Sequence, residues 1–165
     1  MKFNRFLLIG LVLLTGCWGV NDHSLYERIV DGNKGLVRNK VMGMSMAEVK
    51  ASEKIQPEDE DEGYLYYRIG IGENNSLATT YSFSQSGLYE IQLEVYLNDL
   101  PDASDLNTVF LDSFREKYGE PEEKNGSLIW VLETENSKEI EVTIIDESKQ
   151  YGYGKLSVSF YDFDN

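Results

Sequence analysis

The side chains that most often carry enzyme chemistry are scarce in this sequence. Cys17 is its one cysteine and His23 its one histidine. A Ser–His or Cys–His nucleophilic site needs a base held by a rigid scaffold, whereas the segment around His23 mixes Gly, Asn, Asp and Lys with little periodicity. Structural zinc prefers thiolate and imidazole ligands. We therefore predict no catalytic residue, no metal and no cofactor.

Carboxylates are abundant, with 29 Asp and Glu residues and a formal net charge of −14. No catalytic pair stands out among so many. The acidic run at residues 58–63 lacks the glutamate that an EF-hand calcium loop places six positions after its glycine, because that position is Ile69. We interpret the run as a solvated loop. An acidic surface also repels phosphate backbones, so we expect no nucleic-acid partner.

The first residues have the pattern of an export signal. Lys2 and Arg5 precede an apolar run at residues 6–14, and small residues follow. A positive start, a short apolar core and small residues before a cleavage point are typical of a secretory signal. The run is too short for a helix spanning the hydrocarbon layer, which needs about 20 residues. We therefore predict a signal peptide at residues 1–16.

The end of this signal resembles the lipobox of bacterial lipoproteins, through Leu14, Thr15, Gly16 and Cys17. The resemblance implies that the Cys17 thiol carries diacylglycerol, that cleavage occurs just before it, and that the new amino terminus is acylated, for example with palmitate. Two or three acyl chains hold a protein firmly on a membrane. The alternative is an ordinary signal peptide with a chance cysteine. Trp18 replaces the Asp that retains lipoproteins at the inner membrane, which favours the periplasmic side of the outer membrane if the cell has one.

Beyond the signal we predict a lipid-anchored tether at residues 17–40 and one domain at 41–165. The domain repeats itself after a shift of 63 positions, which aligns Tyr67 with Trp130 and Val95 with Val158. An ungapped register over three strands favours duplication, with repeats at 41–100 and 101–165. Chance alternation is the alternative.

Each repeat has the pattern of one helix followed by three strands. Ser45 and Glu48 form a capping-box sequence, and apolar residues from Leu106 to Tyr118 recur at helical spacing before Gly119. The predicted strands cover residues 64–71, 77–83, 89–97, 128–133, 139–145 and 153–161. Short connections favour antiparallel pairing. We predict an α+β fold, a tandem α-β-β-β repeat with an antiparallel sheet of about six strands and two helices on one face.

A second resemblance lies at residues 41–49, which read VMGMSMAEV. This segment is similar to a helix opening in SmpA/OmlA-type outer-membrane assembly lipoproteins, and the duplicated helix-and-meander plan resembles the β-lactamase inhibitor protein. Both groups are small exported domains that act by binding other proteins. The Gly-x-Pro that follows the helix appears only in the second repeat, at residues 119–121, so we transfer no site residue.

The face of the sheet opposite the predicted helices is the candidate binding surface. It mixes tyrosines and aliphatic side chains with few charges, a composition favoured in protein interfaces. The alternative is that aromatic residues are simply good strand formers. The predicted protein-binding residues are Tyr64, Tyr66, Arg68, Tyr96, Ile129, Val131, Ile145 and Tyr161.

These observations predict a lipoprotein of the cell envelope that acts as a non-enzymatic protein-binding module. One alternative is a carboxylate-based glycan hydrolase, which needs two carboxylates in a cleft and one raised pKa. A structural lipoprotein without a specific ligand is the other.

Overall fold

A computed structural model describes residues 22–32, 34–133 and 139–164. The signal peptide predicted at residues 1–16 and Cys17 lie outside this range. The helices are α1 Asp22–Val30, α2 Met46–Ser52, α3 Leu100–Tyr118 and α4 Ser148–Tyr151. The strands are β1 Asp59–Glu60, β2 Tyr64–Gly72, β3 Asn75–Ser84, β4 Gly87–Leu97, β5 Glu122–Lys124, β6 Ser127–Glu133, β7 Glu139–Asp146 and β8 Gly154–Asp162.

All eight strands form one antiparallel sheet in the order β1-β2-β3-β4-β8-β7-β6-β5. The predicted α+β class and antiparallel sheet are thus confirmed. The predicted counts of six strands and two helices are wrong, because the described chain has eight strands and four helices. The extra strands β1 and β5 are edge strands of two and three residues. They lie in charged segments, whose composition is typical of loops. The extra helices are α1 and α4, of which α4 is a single turn before Gly152.

Strand pairing repeats with the 63-residue shift. Tyr66 pairs with Thr80, and the residues 63 positions later, Ile129 and Thr143, pair in the same way. In the centre of the sheet Glu94 pairs with Ser157, its own equivalent in the second half. A local two-fold axis between β4 and β8 therefore passes through this pair.

Helices α1, α2 and α3 pack on one face of the sheet. Ser45 caps α2, since its side-chain oxygen accepts from the Glu48 N–H while the Glu48 carboxylate accepts from the Ser45 N–H at 2.8 Å. This capping box was predicted. Asp99 caps α3, which begins earlier than Leu106 and ends at Gly119. Phe110 and Phe114 of α3 are buried in the core between this helix and the sheet.

The prediction of a tether at residues 17–40 is wrong for its described part. Leu25 and Ile29 of α1 are buried in the core, and the Tyr26 ring meets Phe110 edge-on with centroids 4.9 Å apart. Two apolar side chains four positions apart lie on one side of a helix, and here that side packs beside α3. Residues 22–40 therefore belong to the folded domain.

A buried ionic cluster secures the segment after α1. Glu53, at the end of α2, lies 2.9 Å from both Arg38 Nη2 and Lys40 Nζ and accepts a 2.5 Å hydrogen bond from the Tyr81 hydroxyl. Burial opposes the charged carboxylate, but hydrogen bonds from Arg38, Tyr81 and Lys40 outweigh it and lower the pKa of Glu53 to about 2. The cluster therefore joins the segment after α1 to the end of α2 and to β3.

Candidate protein-binding face

The open face is the side of the sheet away from α1, α2 and α3, and strand alternation places all eight predicted residues on it. One row runs across six strands in register, through Tyr66, Thr80, Gln92, Ser159, Thr143 and Ile129. Arg68 and Val131 are exposed and the other six predicted residues are half-buried. Each has solvent-accessible surface, as a contact residue requires.

The aromatic side chains stand towards the margins of this face, while the centre is mainly polar. Thr80, Gln92, Ser157, Ser159 and Thr143 come from the middle strands. Tyr66 lies on the outlying strand β2, and Tyr96 lies near the end of β4.

At the centre the face sinks into a depression of about 270 Å³, lined in part by Gln92, Ile145 and Lys155. Lys155 is almost fully buried, with its Nζ 3.0 Å from Glu147 and 3.5 Å from Glu94. Burial opposes its charge, yet the hydrogen bond and charge of Glu147, together with the charge of Glu94, raise the pKa of Lys155. The depression is therefore charged and polar rather than apolar.

Glu147 is held as a carboxylate in the same depression. Its Oε2 accepts a 2.5 Å hydrogen bond from Ser157 Oγ. That hydrogen bond, followed by the contacts with Lys155, lowers the pKa of Glu147 against the opposing effect of burial. Glu147 and Lys155 thus form a fixed ion pair, which sequence reasoning did not identify because the two residues come from a loop and from the start of β8.

A tyrosine cluster borders the depression at one end of the sheet. The Tyr96 and Tyr153 rings have centroids 6.4 Å apart, Tyr153 and Tyr151 are 5.8 Å apart, and Lys155 Nζ lies 4.3 Å from the Tyr151 ring. Burial, followed by the charge and hydrogen bond of Glu94, raises the pKa of Tyr96 to about 12. The Tyr96 phenol therefore remains a neutral donor at physiological pH.

A second aromatic cluster, at the opposite end, joins Tyr161 to two residues that were not predicted. The Tyr89 ring lies 5.9 Å and the Phe163 ring 5.2 Å from Tyr161. The register between β3 and β4 shifts after Ser82, which brings Tyr89 beside Tyr161. Simple alternation cannot reveal such a bulge. Phe163 was missed because it follows the last strand.

Two predicted residues form a pair of their own near the sheet margin. The Arg68 guanidinium donates to the Tyr66 hydroxyl from Nη2 at 2.5 Å and from Nε at 3.1 Å. The pair presents a cation beside an aromatic ring, an arrangement common in interfaces. It is an exposed cationic element on a face whose described carboxylates include Glu90, Glu94, Glu133, Glu139, Glu141 and Glu147.

Three further points from the sequence concern metal binding, the position of His23 and membrane-spanning helices. Within residues 22–32, 34–133 and 139–164, no three His, Cys, Asp or Glu side chains are grouped to hold a metal ion. His23 is an exposed residue of α1 stacked near Tyr26. None of the helices in the described part of the chain is long and apolar enough to span a membrane.

Comparison with known proteins gives no match to a family model, to a curated protein or to a solved structure. The resemblances at the lipobox and at residues 41–49 therefore stay predictions.

Proposed function

We propose that this chain is a lipid-anchored lipoprotein of the cell envelope that binds a protein partner, without catalysis, through the open face. The observation that carries the proposal is the face itself: one side of an eight-stranded sheet is free of α1, α2 and α3 and bears partly exposed tyrosine and aliphatic side chains. Exposed apolar surface rimmed by polar groups is typical of interaction sites.

Charge and shape indicate the chemistry of the partner. Among the described residues, the carboxylates of the open face outnumber its cations, Arg68, Lys124 and Lys155. The margins continue this pattern, because β1 consists of Asp59 and Glu60 and β5 begins with Glu122 and Glu123. A net positive protein surface would be attracted to such a field and oriented by it. Apolar groups of the partner would meet Tyr96 and the cluster of Tyr89, Tyr161 and Phe163, and polar groups would meet the central hydroxyls.

The carboxylates whose pKa is shifted lend no support to the hydrolase alternative. A glycan hydrolase needs a carboxyl group with a raised pKa to act as the acid. In contrast, hydrogen bonds lower the pKa of Glu48, and hydrogen bonds together with charged partners lower the pKa of Glu53 and of Glu147. Glu147, the one of these on the open face, is engaged with Lys155.

Export and anchoring complete the proposal. Cys17 would carry the lipid, and the outer membrane would be the destination if the cell has one. Since Cys17 is the only cysteine, lipidation would leave no thiol for a disulfide.

The proposal is tested by affinity capture from envelope extract with matched face variants. Tyr66→Ala and Val131→Ser alter the open face, while Val41→Ser alters a similarly exposed aliphatic residue before α2, which lies beside Gly35 near the C-terminal end of α3. The proposal expects a captured protein that is lost with both face variants and kept with Val41→Ser. A captured set that is the same for all variants, or no captured protein above a lipidated control, would contradict it.

A further inference from the structure

Three exposed apolar side chains share one corner of the domain. Leu100, Tyr151 and Tyr153 have exposed fractions of 44, 45 and 39%. Gly154, next to Tyr153, packs so tightly that an added Cβ would lie 2.5 Å from the backbone oxygen of Asp99. Since Asp99 directly precedes Leu100, the tyrosines and the leucine lie at the same end of the sheet. We call this group the apolar corner.

The chain enters the domain at this same end. The first turns of α1 and the start of α3 line a common cleft of about 250 Å³, through Ser24 and Leu25 on one side and Asp99 and Asp102 on the other. Cys17 precedes Asp22 by five positions. A chain spans at most about 3.5 Å per residue, so a lipid on Cys17 would hold this end within roughly 18 Å of the membrane surface.

We propose that the apolar corner lies against the bilayer interface to which the lipidated Cys17 holds the chain. This inference depends on the proposed lipidation. Tyrosine is favoured at membrane interfaces because its ring is apolar and its hydroxyl reaches water. A weak contact suffices, since the lipid keeps the corner at high effective concentration near the bilayer. The open face then stands beside the membrane and stays free for the protein partner.

The charges around the corner determine which lipid it prefers. Glu73, Asp99 and Asp102 line the adjoining cleft, opposed there by Arg28. This negative excess disfavours anionic headgroups. The contact is therefore made through apolar and tyrosine groups with neutral lipid.

Reporter positions at the two ends of the sheet test this docking. The processed, lipidated protein is reconstituted into phosphatidylcholine vesicles, where its own thiol is blocked by lipid. A cysteine introduced by Lys149→Cys, beside the corner, carries an environment-sensitive dye, and Gln85→Cys in the β3–β4 turn carries the same dye as the matched reporter; both positions are exposed. Lipid with a headgroup spin label should quench the dye at position 149 several-fold more than the dye at 85.

Surface variants make the test specific. Leu100→Ser combined with Tyr153→Ser should remove the difference in quenching, whereas Phe163→Ser, an exposed aromatic at the opposite end, should leave it. Tyr151 is not altered because its ring contacts Lys155. Anionic phosphatidylglycerol in the vesicles should weaken the quenching at 149.

Flotation with the vesicles and the mass of the protein separate the two proposals. Floating protein with equal quenching at 149 and 85, or quenching unaffected by the double variant, overturns the docking while the anchor stands. Protein that neither floats nor carries the mass of the lipid overturns both.

Discussion

Glu53 Oε1 lies 2.9 Å from the Nζ of Lys40, and both side chains are almost completely buried. Arg38 and Tyr81 complete the partners of this carboxylate. The pair joins the segment after α1 to the end of α2, so it links elements that the sequence predicts to be a tether and a domain. Removing one member of a buried ion pair leaves the other charge uncompensated and typically costs about 3–5 kcal/mol.

Glu53→Gln should therefore lower the free energy of unfolding by about 3 kcal/mol or more, measured by urea denaturation at neutral pH. Glu60→Gln is the matched control, because Glu60 pairs with Lys50 at the surface and exposed pairs contribute at most about 1 kcal/mol. Equal effects of the two substitutions would contradict the role assigned to the buried cluster.

The same carboxylate should make stability depend on pH. The folded pKa of Glu53 is about 2, below the ordinary value of about 4.3. A depressed folded pKa contributes stability that is present above the unfolded value and is lost as the pH falls through the folded one. The difference in unfolding free energy between the wild type and Glu53→Gln should thus shrink by about 3 kcal/mol from pH 5 to pH 2. A constant difference over that range would show that the pKa of Glu53 is not depressed.

Helix α1 should behave as part of the core. Ile29 is fully buried, and truncation of a buried isoleucine costs about 2–5 kcal/mol. Ile29→Ala should lower the midpoint of thermal unfolding clearly, while His23→Ala on the exposed side of the same helix should change it little. An unchanged midpoint for Ile29→Ala would restore the interpretation of residues 22–40 as a tether.

Lipid anchoring predicts a processing defect. Cys17→Ser removes the thiol that would receive diacylglycerol, so the uncut precursor should accumulate. Metabolic labelling with a fatty acid, followed by electrophoresis, measures both effects. Equal label in the wild type and the Ser variant would contradict lipidation at this position.

Local patterns in the sequence predict much of the sheet but not its surroundings. Alternation in residues 64–71 places strand β2 to within a residue, and the 63-residue shift predicts equivalent pairings such as Leu65 with Tyr81 and Leu128 with Ile144. Helix α1 was missed because its nine residues were interpreted together with the polar, Gly- and Asn-rich segment around them. Leu25 and Ile29 do stand at helical spacing, but their burial depends on α3 and β2, which lie far along the chain.

At the candidate site, too, local sequence patterns predict some features and miss others. Alternation assigns Tyr66 and Val131 to the open face correctly, since the side-chain period of a strand is two. It does not show that the register shift of β4 brings Tyr89 to Tyr161. Nor does it show that Lys155 is buried between Glu94 and Glu147, because such ion pairs depend on which strands become neighbours.

Photo-crosslinking in intact cells tests the binding face most directly. A photoreactive amino acid replaces Val131 on the open face or, as the matched control, Val41 beside Gly35; their exposed fractions are 55 and 50%. We expect a discrete crosslinked product from position 131, in which the crosslinked partner is a basic protein. We expect no product from position 41. Products of the same size and yield from both positions, or a product from position 41 alone, would contradict a partner on the open face.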